Sequence, residues 1–169
     1  MNTDIKYENN KEDEDISEIN EWEELNSRNE LLRGIYASGF EKPSPIQRKA
    51  ILPLFYNKDI IAQAQSGTGK TACFSIGALQ KIDTNNKEPQ VIVLSPTREL
   101  SIQSKKVIDT IGNLIPGLST LLMVGGTSTL DSIKEIRITS PQIIVGCPGR
   151  IHYMLKRKAL SSVGLIPKV

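Results

Sequence analysis

Short apolar runs alternate along the chain with stretches whose apolar residues recur every three or four positions. The runs at 60–62, 91–94, 121–124 and 143–145 predict strands, and four consecutive β-formers such as Val91-Ile92-Val93-Leu94 suit a sheet that is covered on both faces. Helical spacing lies between them, as in Leu100, Val107 and Ile111. Strands separated by helices predict an α/β fold with a parallel sheet, in which ligands bind beyond the carboxyl ends of the strands.

Several helix ends carry specific signals. Ser27 followed by Glu30 predicts a capping box, and Gly39 would end that helix. Ser44, with Pro45 after it and Gln47 three residues on, predicts a second capping box. A polar helix is predicted over about 129–138.

The first predicted strand leads into a glycine-rich loop, Ala64 to Thr71, that ends in Gly-Lys-Thr. Glycines in such a loop let backbone N–H groups surround a phosphate, while the lysine reaches the outer phosphates and the threonine hydroxyl ligates magnesium. A helix follows, and its N-terminal dipole favours the same anion. The usual pattern begins with glycine where this chain has Ala64, so a chance glycine-rich turn is the alternative to a nucleotide site.

Composition is that of an ordinary globular domain, with 169 residues, 38% hydrophobic and 24% charged. No apolar run approaches the length of about 18 residues that a membrane span needs, and the residues after Met1 do not resemble a signal peptide. Cys73 and Cys147 match no metal-binding spacing, and we interpret them as reduced, buried, small apolar residues.

Charge is unevenly distributed. Residues 1–30 contain eleven acidic and three basic residues, and the remaining chain contains 18 basic and eight acidic ones. The acidic segment predicts a disordered tail over 1–20. The basic remainder favours a polyanionic partner, although plain solubility is the alternative.

Five motifs in this order resemble the N-terminal RecA-like domain of DEAD-box RNA helicases. They are the Q motif at 39–47, motif I at 64–71 in the family's own form that begins with alanine, motif Ia at 95–100, the GG motif at 125–126 and motif Ib at 147–150. The resemblance implies a parallel-sheet P-loop NTPase fold, incomplete at the C-terminus. It divides the chain into the tail (1–20), the region of the upstream aromatic residue and the Q motif (21–48), a partial ATP-binding domain (49–160) and a divergent tail (161–169).

The resemblance implies that the chain binds ATP with Mg²⁺. Lys70 and Thr71 would take the catalytic roles, with Thr71 also ligating the metal. Trp22 would stack on adenine, although packing in the core is the alternative. Gln47 offers an adenine edge both a donor and an acceptor, although its capping role is the alternative. The implied nucleotide site consists of Trp22, Phe40, Lys42, Gln47, Ala64, Gln65, Ser66, Gly67, Thr68, Gly69, Lys70 and Thr71.

For RNA, the resemblance implies contacts to the sugar-phosphate backbone, independent of sequence, with no DNA or membrane partner. The implied site consists of Pro96, Thr97, Arg98, Glu99, Gly125, Gly126, Pro148, Gly149 and Arg150. Arginines suit phosphate and glycines allow close approach. The alternative is that Arg98 pairs with a carboxylate and that the glycines serve turns. Cys147 stands where the family usually has threonine.

The implied function is ATP-dependent RNA unwinding. Residues 31–37, 39–44 and 61–72 are most similar to the translation-initiation branch of the family, with the exon-junction branch as the competitor. Initiation scaffold proteins are therefore possible partners, and the expected location is the cytoplasm, or alternatively the nucleus.

The sequence ends about where the family's Asp-Glu-Ala-Asp segment would begin, and Pro167 does not suit a central strand. We therefore expect the 169-residue chain alone to be inactive in ATP hydrolysis. The alternative to a helicase fragment is a non-catalytic nucleotide- or RNA-binding module that competes with a full-length helicase. A small P-loop kinase fits less well, since no arginine-bearing lid follows the loop.

Overall fold

The computed structural model describes residues 4–7, 18–126 and 128–160. Within these ranges the chain forms two compact units. The first consists of residues 4–7, 18–81 and 110–115, and the second of residues 82–109, 116–126 and 128–160.

The first unit contains two strands and three full helices, together with a short 3-10 helix at Trp22–Leu25. They are β1 (Asp4–Tyr7), α1 (Asn29–Ala37), α2 (Pro45–Phe55), β2 (Ile60–Gln63) and α3 (Lys70–Lys81). The strands β1 and β2 pair in antiparallel fashion, with Asp4 opposite Gln63 and Tyr7 opposite Ile60.

This pairing corrects two expectations. Residues 4–7 form a strand inside the segment that we expected to be a disordered tail, while residues 1–3 and 8–17 of that segment lie outside the described residues. We expected β2 to belong to the parallel sheet, but it forms a separate two-stranded sheet with β1. Its residues alternate between half-buried and exposed, which suits a strand with one solvated face.

Of the two predicted capping boxes, one is present. The Ser44 backbone N–H donates to Gln47 Oε1 over 2.8 Å at the start of α2. The prediction at Ser27 was wrong, because α1 begins one residue later, with Arg28 as its N-cap. The Arg28 side chain donates instead to the carbonyl oxygens of Leu79 and Gln80, in the last turn of α3. Gly39, with a φ of +83°, follows the end of α1 as predicted.

The second unit is a three-stranded parallel sheet with helices between its strands, in the order β3-β5-β4. Its elements are β3 (Val91–Leu94), α4 (Arg98–Gly112), β4 (Thr120–Met123), α5 (Thr129–Thr139), β5 (Ile143–Gly146) and α6 (Pro148–Lys156). The last residues of α4 belong to the first unit. All four residues of β5 are buried, as its apolar sequence predicts for a central strand.

One buried apolar cluster of the second unit lies between β4, β5 and α6. Its buried side chains are Leu121, Met123, Ile144, Ile151, Met154 and Leu160. Leu94 and Met123 both lie opposite Gly146, so the three strands end level with one another. The loops that follow them therefore meet at one edge of this sheet.

Among the described residues, no helix combines the length and the apolar character that crossing a membrane would require.

Candidate nucleotide and nucleic-acid sites

The glycine-rich loop lies in the first unit, between β2 and the first residue of α3. Gly67 and Gly69 have φ angles of +79° and +96°, in the left-handed region that favours glycine. A Cβ atom added to Gly67 would meet nothing within 4 Å, so the loop is open at this point. An open loop of exposed backbone before a helix of 12 residues fits the phosphates of a nucleotide.

Lys70 lies across this loop. Its Nζ donates to the carbonyl oxygens of Ala64 and Gln65, each over 2.5 Å. The Thr68 hydroxyl donates to the same Gln65 carbonyl over 2.8 Å. The ammonium group is thus held where the loop backbone curves, which is where a bound phosphate would need a cation.

The start of α2 is hydrogen-bonded to the same loop. Ser44 Oγ donates to the carbonyl oxygen of Thr68 over 2.8 Å, and Gln47 Nε2 donates to that of Gly69 over 3.1 Å. Gln47 is 2% exposed, and its Oε1 already accepts the Ser44 N–H. The Gln47 amide therefore caps α2, which was the alternative to adenine recognition. It also bonds to the phosphate loop, a contact that the sequence did not predict.

Trp22 is not placed as the resemblance implied. Its side chain is completely buried, and its indole Nε1 donates to the carbonyl oxygen of Phe40 over 2.9 Å. A ring without an exposed face has no surface to offer a base, so the alternative of core packing describes this structure. Phe40 itself is half-buried. Lys42 is exposed and forms an ion pair with Glu21 over 3.1 Å.

Thr71, which we predicted to ligate magnesium, is half-buried in the first turn of α3, one residue after Lys70. In the part of the chain that the structure describes, no group of three His, Cys, Asp or Glu side chains could hold a metal ion. The Thr71 hydroxyl is an oxygen donor that magnesium accepts, and this ion usually keeps water and phosphate oxygens as its other ligands.

The predicted RNA-contacting loops meet in the second unit, at the carboxyl ends of β3, β4 and β5. Arg98 Nη1 donates to the carbonyl oxygen of Gly125 over 3.0 Å, so the first of these loops is tied to the second. Thr97 Oγ1 accepts the backbone N–H of Leu100 and so caps α4. Gly126, with a φ of +86°, provides the turn after β4. Pro96, Glu99, Pro148 and Gly149 are exposed around these loops.

Arg150 contacts the start of α5. Its Nη2 donates to the Ser128 carbonyl over 3.0 Å and to Ser132 Oγ over 2.9 Å, while Nη1 donates to Thr129 Oγ1 over 3.2 Å. These bonds join α6 to α5, so in this structure the guanidinium is directed to protein rather than to solvent. Sequence reasoning had assigned it to RNA phosphate.

An open depression of about 510 Å³ lies beside these loops. The residues that line it are Gly125, Thr129, Cys147, Gly149, Arg150 and Tyr153. Cys147 Sγ lies 3.6 Å from Ser101 Oγ, a contact that joins the start of α6 to α4. Sequence reasoning missed Tyr153, because no motif includes it. The sequence did contain one signal for it. Tyr153 follows Gly149 by four residues on a predicted helix, and residues four apart lie on the same helix face.

The chain is similar in sequence to proteins of one known family. Residues 44–166 match the family of DEAD/DEAH box helicases. The chain is 50% identical over 147 residues to the ATP-dependent RNA helicase eIF4A of Pyricularia oryzae, covering 87% of this chain and 37% of that protein. It is 51% identical over 138 residues to the same helicase of Coccidioides immitis, covering 82% of this chain and 34% of that protein. The chain thus spans little more than a third of the curated relatives it matches.

Two solved structures of similar proteins have the same fold as the matched part of this chain. Dbp5 of S. cerevisiae, bound to RNA and ADP BeF3, has a TM-score of 0.75 at 36% identity, over 86% of this chain and 36% of that one. A DEAD box protein from the hyperthermophile Methanococcus jannaschii has a TM-score of 0.78 at 33% identity, over 88% of this chain and 40% of that one. With the family match extending over most of its residues, this chain belongs to the DEAD/DEAH box helicase family.

Proposed function

We propose that these 169 residues are the ATP- and RNA-binding amino-terminal part of an ATP-dependent RNA helicase that acts in translation initiation. The observation that carries the proposal is the pair of hydrogen bonds from Ser44 and Gln47 to the phosphate loop. They join the Q motif to motif I within one unit, as expected if both serve one nucleotide. The relatives named eIF4A support the branch.

The phosphates of ATP would lie against the loop at 64–69 and the N-terminus of α3. Lys70 Nζ would exchange the carbonyl oxygens of Ala64 and Gln65 for phosphate oxygens, which are stronger acceptors for an ammonium group. The Thr71 hydroxyl would ligate Mg²⁺. When bound, the metal would neutralise charge on the phosphates.

Adenine would bind beside the Q motif. We assign the aromatic contact to the half-buried Phe40 rather than to Trp22, which positions Phe40 through the bond to its carbonyl oxygen. Lys42, exposed next to this segment, would lie near the nucleotide. Gln47 would recognise the base edge by exchanging one of its present hydrogen bonds, which would make recognition of adenine sensitive to the state of the phosphate loop.

RNA would bind to the second unit through its backbone. The glycines at 125, 126 and 149 let a phosphate approach the backbone N–H groups, and the exposed Arg98 contributes charge. Arg150 would position the 147–149 loop through its bonds to α5. Partners beyond RNA would be initiation scaffold proteins, in the cytoplasm or alternatively the nucleus.

Calorimetric titration with Mg²⁺-ATP and Mg²⁺-GTP tests the nucleotide proposal. The chain should prefer ATP. Lys70→Ala should weaken ATP binding about tenfold or more, because a charge-assisted bond is lost. Gln47→Ala should weaken ATP binding and remove the preference over GTP. As a control, Lys49→Gln removes an exposed lysine of α2 and should leave binding unchanged. Equal affinity of the unmodified chain for ATP and GTP would overturn the assignment.

A further inference from the structure

Tyr153 lies beside the proposed RNA site but belongs to none of its motifs. It lines the depression together with Gly125, Cys147 and Gly149. On α6 it follows Pro148 by five residues, so it stands about 7.5 Å further along the helix axis than the N-terminus that would face a phosphate. An aromatic side chain is thus placed next to the position proposed for the RNA backbone.

The Tyr153 ring is contacted by Arg157 on one face and is partly exposed to solvent. The Arg157 guanidinium carbon lies over the ring, 4.9 Å from its centroid. This cation–π contact occupies one face and limits the motion of the side chain. Tyr153 nevertheless remains 38% exposed and borders the depression. An ordered, accessible aromatic surface is what a nucleic-acid base requires for stacking.

The electrostatic environment suits a polyanion. The sequence contains no acidic residue after Glu135. Lys156, Arg157 and Lys158 are exposed along and just beyond α6. A phosphate backbone that follows this helix would encounter positive charge without a competing carboxylate on the same element, and its affinity would depend on salt.

We propose that Tyr153 is a stacking platform for a base of single-stranded RNA whose backbone lies against the loops at 125–126 and 147–149. The proposal rests on the RNA-binding function proposed above and adds a base contact to a site otherwise formed for phosphate. Stacking tolerates any base, since every base has a π-face. It distinguishes unpaired RNA from paired RNA, because only an unpaired base is free to stack on the protein.

The test is fluorescence anisotropy at low salt with the 169-residue chain. The probes are a short labelled oligouridylate and an abasic ribose-phosphate oligomer of the same length. Tyr153→Leu removes the aromatic ring, Tyr153→Phe keeps it, and Tyr56→Leu replaces a 61% exposed tyrosine of the other unit as a matched control. An oligomer containing 2-aminopurine reports stacking directly by quenching, and thermal unfolding of each variant monitors the fold.

We expect Tyr153→Leu to weaken oligouridylate binding about fivefold or more. Binding of the abasic oligomer should stay unchanged, and the quenching should be lost. Tyr153→Phe and Tyr56→Leu should behave like the unmodified chain. Unchanged oligouridylate binding and quenching in a folded Tyr153→Leu chain, or equal loss on both probes, would overturn the stacking role and leave the RNA proposal standing. Failure of the unmodified chain to bind either probe would overturn both.

Discussion

At the scale of single residues, the two cysteines differ in what surrounds them. Burial raises the pKa of the Cys73 thiol to about 12, so at neutral pH it is almost entirely protonated. Cys147 is half-buried and lines the open depression. Because the thiolate is the reactive form, the two should react with thiol reagents at very different rates.

We therefore predict that an aromatic disulfide reagent at pH 8 modifies one thiol per chain rapidly and the other slowly. Cys147→Ser should abolish the rapid phase, and Cys73→Ser should retain it. The slow reaction should accelerate as the pH rises toward 12, since more Cys73 becomes thiolate. A rapid phase that survives in folded Cys147→Ser would contradict this assignment.

Residue roles were only partly predictable from the sequence. Gly69 was recognised as a loop glycine, and the structure adds that a Cβ there would lie 2.5 Å from Gln47 Nε2. Trp22 was recognised as an aromatic ahead of the Q motif, yet spacing does not reveal whether a ring faces a ligand or the core. Burial depends on neighbours distant in sequence, and these neighbours became visible only in three dimensions.

At the scale of elements, α1 meets the end of α4 within the first unit. A Cβ added to Gly34 would overlap the backbone carbonyl oxygen of Ile111. The obstructing atom belongs to helical backbone, which cannot move aside as a flexible side chain could. The absence of a side chain at Gly34 is therefore what allows these two segments to approach.

Gly34→Ala should lower the free energy of unfolding by about 1–3 kcal/mol, the usual cost of overpacking. Urea denaturation followed by circular dichroism measures this. The matched control is Gly149→Ala, also helical, where an added Cβ meets nothing within 4 Å. Its stability should stay the same or rise by up to about 1 kcal/mol, since alanine favours helix. Equal losses in the two variants would show that the α1 contact is not the cause.

The elements themselves were largely predictable, and their pairing was not. Each strand predicted from an apolar run is present, and the capping box at Ser44 is confirmed. The partner of β2 is a four-residue strand in an acidic segment, which carries no strong local signal. Pairing across more than fifty residues is decided by tertiary contacts, so composition alone indicated a disordered tail.

At the scale of the whole molecule, the recognised motifs are distributed between the two units. The phosphate loop and the Q motif belong to the first, and the loops proposed for RNA belong to the second. The match covers 37% of the Pyricularia oryzae helicase and 34% of the Coccidioides immitis one, so most of each relative lies outside the matched part. We therefore expect this polypeptide to bind ATP but not to hydrolyse it at the rate of a full-length helicase.

A polypeptide of these 169 residues should bind ATP without hydrolysing it at a helicase-like rate. Lys70 and Thr71 can hold phosphates and metal, but the described residues contain no cluster of carboxylates to complete a metal site, and no acidic residue follows Glu135 to activate water. In related phosphoryl transfers an arginine supplied from elsewhere accounts for roughly three to five orders of magnitude in rate. Phosphate release with saturating RNA measures the activity.

The informative comparison is a chimera that joins this chain to the remaining two-thirds of the Pyricularia oryzae relative. We expect RNA-stimulated hydrolysis in the chimera and its loss in the chimera with Lys70→Ala, because the phosphate loop would then lack its cation. Comparing the two chimeras distinguishes two explanations for an inactive 169-residue chain. Either its nucleotide site binds ATP but lacks catalytic groups, or the site does not bind ATP at all. Hydrolysis by the 169-residue polypeptide that Lys70→Ala abolishes would contradict the prediction, since the chain would then contain its own catalytic groups.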